Sequence, residues 1–201
     1  MGAYNAGQRY FGENYVQELC GKAPVLPNDI QWHFIGPLQS NKAALSVKKV
    51  GLDQLHCVEI VSTLKLAKKL DKAVMDIKED KDEWKDQQLN IYLQVNTSGE
   101  ASKSGLTPGD EVLTCARSIR DECPHLKISG LMTIGAPGDM SCFDTLVECW
   151  EQLAKDIGLN DVNQLDLSMG MSGDFEVAIE KGATNVRVGS TIFGARDYSN
   201  K

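Results

Sequence analysis

No run in this chain is apolar for long enough to cross a bilayer, and the opening residues Met1-Gly2-Ala3-Tyr4-Asn5-Ala6-Gly7 lack the charged-then-apolar order of a secretion signal. A soluble cytoplasmic protein with no membrane partner is expected. Positive charge is also short: 21 Lys and Arg against 28 Asp and Glu leave a net charge of -7, and no basic stretch alternates with aromatics. Nucleic acid is therefore not an expected partner. Histidine is limited to His33, His56 and His125, and the six cysteines, Cys20, Cys57, Cys115, Cys123, Cys142 and Cys149, have no close paired spacings. That pattern supplies neither a zinc site nor a disulfide framework, so buried thiols in a reducing compartment are expected, with Cys142 and Cys149 on one face of one helix. No serine, cysteine or histidine triad can be assembled either, which leaves nucleophilic catalysis without support.

What is there is a chain of 201 residues, 42% apolar, enough for one good-sized core and read as a single domain over 1–201. Strand patterns at Arg9–Glu13, Ile30–Ile35, Gln54–Val58, Leu89–Val95, Lys127–Ile134, Gln164–Met169 and Asn185–Val188 alternate with helical ones. The helical stretches are Tyr15–Lys22, Lys42–Lys49, a long one from Ile60 to about Gln87, Asp110–Asp121, Phe143–Ile157 and Phe175–Glu180. Strict alternation predicts parallel strands with crossover helices. The charge-dense stretch Asp71–Gln88, with Ala73, Val74, Ile77 and Trp84 at roughly helical spacing, reads as a solvated helix face.

Strand parity then marks a polar interior. Tyr92, Gln94 and Asn96 share a face opposite their aliphatic neighbours, Asp166 and Ser168 alternate with Leu165 and Leu167, and Asn185, Arg187 and Gly189 oppose Val186 and Val188. These residues gather toward strand C-terminal ends, where parallel α/β barrels and doubly wound sheets bind ligands. Phe11-Gly12-Glu13-Asn14 is no glycine-rich dinucleotide fingerprint, so a barrel is favoured.

The block from Leu167 to Tyr198, LSMGMSGDFEVAIEKGATNVRVGSTIFGARDY, carries two small-residue turns one helix and one strand apart. Ser172 stands where the N-cap of the Phe175 helix is expected, and the second turn is Gly189-Ser190-Thr191. Exposed N–H groups at such turns favour an anion, and two turns side by side suit one phosphate, as in the loops after strands seven and eight of a barrel.

With FGENYVQEL at Phe11–Leu19, WHFIGPLQSNK at Trp32–Lys42, QVNTSGEASKSG at Gln94–Gly105 and GLMTIG at Gly130–Gly135, this block resembles the pyridoxal phosphate homeostasis proteins, the YggS/PROSC family, in order along nearly the whole chain and in wording nearer the eukaryotic members. The resemblance implies a TIM-type (β/α)8 barrel resembling the N-terminal domain of alanine racemase. It also implies pyridoxal 5′-phosphate (PLP) as cofactor, no established catalytic reaction, and a role in buffering PLP or passing it to PLP-dependent apoenzymes in the cytosol or mitochondria. Ser168, Ser172, Gly189 and Ser190 would surround the phosphate, Arg187 would lie against the pyridine nitrogen, and Asn14 would flank the ring. His33 is read as a packed, hydrogen-bonded residue.

Family members begin with a helix and a strand whose lysine forms the Schiff base with PLP. Here that first helix, that strand and its lysine are expected to be missing, the segment Ala3–Gly7 matches the end of the helix that follows the strand, and about seven strands are counted where such a barrel has eight. A shortened gene product, a natural short isoform and a member without covalent binding all account for that gap. Noncovalent PLP binding at most, and a monomer able to associate through its open barrel edges, are the expectations. Lys103 and Lys42, the motif lysines nearest the strand ends, are read as solvated loop residues. A racemase-like or other phosphate-substrate barrel enzyme and a relative that binds no PLP are the alternative functions.

Overall fold

A computed structural model describes residues 1–79, 81–100 and 103–194; the last four positions of the C-terminal block, 195–198, lie outside the described residues. All seven expected strands are present: β1 (Tyr10–Glu13), β2 (Gln31–Phe34), β3 (Leu55–Val61), β4 (Leu89–Gln94), β5 (Leu126–Met132), β6 (Asp166–Met171) and β7 (Asn185–Arg187). They pair in parallel and in sequence order, so the sheet curls into a nearly closed barrel with β1 and β7 as its edges. Every C-terminal strand end, and the loop that follows it, thus lies at one mouth.

A short helix α1 (Gly2–Asn5) precedes β1, and the crossovers are α2 (Val16–Lys22), α3 (Ala43–Val50), α4 (Leu64–Lys78), α5 (Asp110–Glu122), α6 (Ser141–Asp156) and α7 (Phe175–Glu180), with α8 (Ser190–Phe193) after β7. Each long crossover buries one stripe: Leu66, Leu70, Ala73, Val74 and Ile77 on α4; Val112, Cys115, Ala116 and Ile119 on α5; Cys142, Phe143, Leu146, Cys149 and Leu153 on α6. These stripes meet the outward residues of the strands, among them Phe34, Leu93, Leu131 and Leu167, in a continuous core. Full burial of such side chains is worth about 1.5–3 kcal/mol each. All six cysteines are unpaired, and Cys142 and Cys149 share the buried stripe of α6.

The long helix expected from Ile60 to Gln87 is not one helix. Its first residues belong to β3, α4 starts after Thr63, whose hydroxyl accepts the Leu66 N–H at 3.2 Å, and α4 stops at Lys78. Trp84 lies in a separate 3-10 turn (Asp82–Trp84), where its indole N–H donates to Asp53 and Lys81 covers its ring. A strand of β-branched residues that runs to a threonine cap reads locally like the start of the helix it precedes.

Candidate functional site

The interior residues picked out by parity do face one another. Tyr92 Oη donates to Asp166 across the barrel at 2.8 Å, and burial, followed by the nearby Cys57 and Asp166, pushes its phenol well above the ordinary tyrosine range. Nearer the mouth, Glu59 from β3 is fully buried and accepts from three strands. Its Oε1 lies 2.5 Å from His33 Nδ1 and 3.0 Å from Asn185 Nδ2, and its Oε2 takes the Ser168 hydroxyl proton at 2.6 Å. Because an ionised carboxylate only accepts, His33 Nδ1 is the donor in that pair. Burial alone would push the Glu59 carboxyl up, but the His33 bond, its charge and the Arg187 guanidinium outweigh it and hold the group below its usual range.

Arg187 completes this cluster from β7. Nη1 donates to Ser168 Oγ at 2.7 Å and Nη2 to the Thr133 carbonyl at 2.6 Å, so the guanidinium is held between β5 and β6. Both terminal nitrogens keep a second N–H and Nε keeps its own. Burial pulls its pKa down, against the opposing Glu59 and Asp174 carboxylates, yet a guanidinium remains charged.

The two small-residue turns meet beside it. Ser172 Oγ accepts the Gly189 N–H at 3.0 Å and the Thr191 N–H at 3.4 Å, joining the loop after β6 to the first turn of α8. Ser172 is not the N-cap of α7. Asp174 occupies that position, with its carboxylate taking the Met171 N–H at 2.6 Å, because Gly173 adds a step to the turn. Gly170, at φ +88°, is obligatory there: a Cβ would stand 2.5 Å from that of Ala178. Ser168, expected in the phosphate-binding set, lies deeper, and its hydroxyl is taken up by Glu59 and Arg187. Ser190 is exposed at the start of α8.

Asn14 follows β1 at the same mouth, held against β2 by a backbone approach so close that a Cβ on Gly36 would lie 2.0 Å from the Asn14 carbonyl oxygen. His33 is packed and hydrogen-bonded as expected, although its Nε2 is buried with no partner. Lys103 Nζ is tied to the Gly135 carbonyl at 2.8 Å and to Glu100 at 2.7 Å, and Lys42 precedes α3. Among the described residues, no group of three or more His, Cys, Asp or Glu side chains is placed for a metal. The mouth also opens into a cavity of about 490 Å³ over β2–β5, lined in part by Gln94, Asn96, Thr133 and Lys103.

Two residues of the cluster, Glu59 and Thr133, escaped the sequence reading. Glu59 fell between a strand ended at Val58 and a helix begun at Ile60. The cap at Thr63 was the signal that the strand continued.

A parallel barrel with an inward arginine and paired small-residue turns at its C-terminal mouth defines a class, and the sequence profile of the alanine racemase N-terminal domain matches residues 1–197. Within that class, the chain belongs to the pyridoxal phosphate homeostasis protein family. It is 45% identical over 210 residues to the pyridoxal phosphate homeostasis protein of Bos taurus, covering 99% of this chain and 73% of that one. With the protein of the same name from Schizosaccharomyces pombe it shares 42% over 202 residues, 98% of this chain and 78% of the other. The solved structure of PipY from Synechococcus elongatus with PLP bound superimposes with a TM-score of 0.75 at 31% identity, covering 96% of this chain and 85% of PipY.

Proposed function

We propose that this chain is a non-catalytic holder of PLP that binds the cofactor between the ends of β6 and β7 and releases it to PLP-dependent apoenzymes, acting as a monomer. The observation that carries the reading is Arg187, an inward guanidinium fixed by Ser168 and Thr133 beside the joined Ser172 and Gly189 turns. The donor set fits the group. Ser172 keeps its own hydroxyl proton while accepting the Gly189 and Thr191 N–H groups, and that proton, with the hydroxyl and N–H of Ser190, is offered to a phosphate. Nothing lies within 4 Å of where a Cβ on Gly189 would stand, which leaves room for an anion on that side.

When bound, PLP supplies a reactive aldehyde on an electron-withdrawing ring. Arg187 would face the pyridine nitrogen with an N–H left over from its two internal bonds. A guanidinium there donates and does not give up a proton, so the ring nitrogen stays unprotonated and the ring's electron-sink character is weakened. Asn14 would flank the ring from the β1 side. The PLP in PipY supports the cofactor, and the name carried by the relatives supports a holder over an enzyme of the racemase type.

Titration with PLP, followed by absorbance and equilibrium dialysis, tests it. Saturable binding of one PLP per chain is expected, weakened at least about tenfold by Ser172→Ala or Arg187→Ala. Restoration of activity to an apoenzyme by the loaded chain would support transfer. Failure to saturate, or equal binding of pyridoxal without its phosphate, would sink the reading.

A further inference from the structure

We propose that Glu59 is a positioning residue: by fixing the direction of the Ser168 hydroxyl proton it makes Ser168 an acceptor and so sets the Arg187 guanidinium for its ligand. This deepens the reading above and rests on Arg187 as the ring contact.

Glu59 and Ser168 are 0% exposed and lie 109 positions apart in sequence, on strands that are not neighbours in the sheet. A serine hydroxyl can point its single proton in several directions, and each gives Arg187 a different partner. Here the choice is forced. Glu59 Oε2 can only accept, so the Ser168 proton must go to it, and the Ser168 lone pairs are left facing Arg187 Nη1 at 2.7 Å. Donation to a carboxylate also makes Ser168 Oγ a stronger acceptor, as hydrogen bonds in a chain polarise one another.

The other carboxylate oxygen is anchored independently. His33 Nδ1 and Asn185 Nδ2 both donate to Oε1, so Glu59 cannot swing away from Ser168 without losing two bonds. The remaining tie on Arg187, from Nη2 to the Thr133 carbonyl, is backbone and cannot reverse its polarity. The guanidinium plane is therefore set by two acceptors, one fixed by the fold and one fixed by Glu59. In Glu59→Gln, the carbonyl keeps His33 and Asn185 while the amide nitrogen faces Ser168. The hydroxyl then receives from both sides, its own buried proton has no acceptor, and the charge behind the relay is gone.

Side-chain ¹⁵N NMR of Arg187 in the ligand-free chain, together with PLP titration of Glu59→Gln, Ser168→Ala and the double variant, tests the relay. The unmodified chain should show slowly rotating, resolved Nη signals for Arg187. Both single variants should lose that resolution while keeping the native circular dichroism spectrum. PLP affinity should fall about tenfold in each single variant and no further in the double, whereas inorganic phosphate, which probes the turns alone, should shift by less than about twofold. Unchanged Arg187 signals in a folded Glu59→Gln or Ser168→Ala chain, additive losses in the double variant, or a matched loss of phosphate binding would each overturn the proposal. If Glu59→Gln does not fold, Ser168→Ala carries the test. If the unmodified chain binds no PLP, the proposed function fails and the NMR arm alone decides the relay.

Discussion

Burial acts against the Glu59 carboxylate, and the bonds and charges of His33, Arg187 and Ser168 overcome it. The net depression has a definite consequence for acid stability. In the unfolded chain this side chain has the usual glutamate pKa of about 4.3, and in the fold it holds its negative charge to lower pH. Between those two values the unfolded state binds more protons than the native one, so stability falls as pH drops through the carboxylate range toward the folded pKa. Above the unfolded value the contribution is fully present. Glu59→Gln should therefore lower stability at neutral pH by about 1–3 kcal/mol, the cost of disturbing a buried charged acceptor, and should flatten the acid branch relative to the unmodified chain. Urea midpoints measured from pH 6.5 to 3 would check this, and parallel curves for the two chains would exclude the assigned shift. The same cluster explains why an arginine is tolerated at this depth. It lies near a full negative charge that it never touches, with one serine hydroxyl between them.

At the scale of elements, the β3–α4 junction controls whether Glu59 faces the interior at all. Pairing between β3 and β4 shifts register between Val58 and Val61, so the alternation of sides is interrupted just where Glu59 lies. A reading that stops the strand at Val58 loses the residue for that reason. Period-two patterning does not carry across a bulge, and Ile60 and Val61 satisfy helical and strand patterns equally. By contrast, Ser168 and Arg187 were legible because the register shift in the β6–β7 pairing comes only after Ser168 and leaves the alternation of Asn185 and Arg187 on β7 intact, and α7 matched residue for residue because Gly173 and Lys181-Gly182 bracket it. The Ser172 capping role was misplaced because a small-residue turn offers several hydroxyl and carboxylate candidates, and only three-dimensional contact separates Ser172 from Asp174. Thr63 is the punctuation that ends β3, and its hydroxyl accepts the Leu66 N–H. Thr63→Ala should cost about 1 kcal/mol of unfolding free energy, Thr63→Ser much less, as read from chemical denaturation. Equal stability of the alanine and serine variants would mean that tertiary packing alone starts α4 there.

Over the whole molecule, stability and binding residues are distributed unequally around the barrel. The central strands β3, β4 and β5 are flanked on both sides, and their outward residues meet the long apolar stripes of α4, α5 and α6. At the other end, β7 is three residues long, every residue of it is partly exposed, and it has a partner on one side only among the described residues. Its flanking helices α7 and α8 have six and four residues, and Ile179, Ile192 and Phe193 are exposed at 53%, 58% and 68%. The ligand-facing groups proposed here, Ser172, Arg187 and the Gly189–Thr191 turn, thus sit on the least supported part of the sheet. Local opening free energies track this kind of support, so the amides of β7 and α8 should exchange with solvent fastest among the secondary elements and those of β4 slowest. A ligand that bridges the β6 and β7 turns must be released before that segment opens, so PLP should slow exchange across 168–193 by a factor set by its concentration relative to its Kd. Hydrogen exchange read by mass spectrometry, with and without PLP, measures both effects. Protection of β7 in the free chain equal to that of β4 would show that the edge is as firmly held as the centre, and the coupling of binding to edge closure would be lost. If the expected gradient is found, uptake and release of the cofactor share one motion, the opening of the β6–β7 edge, and a holder that must also hand over its ligand has its site where opening is least costly.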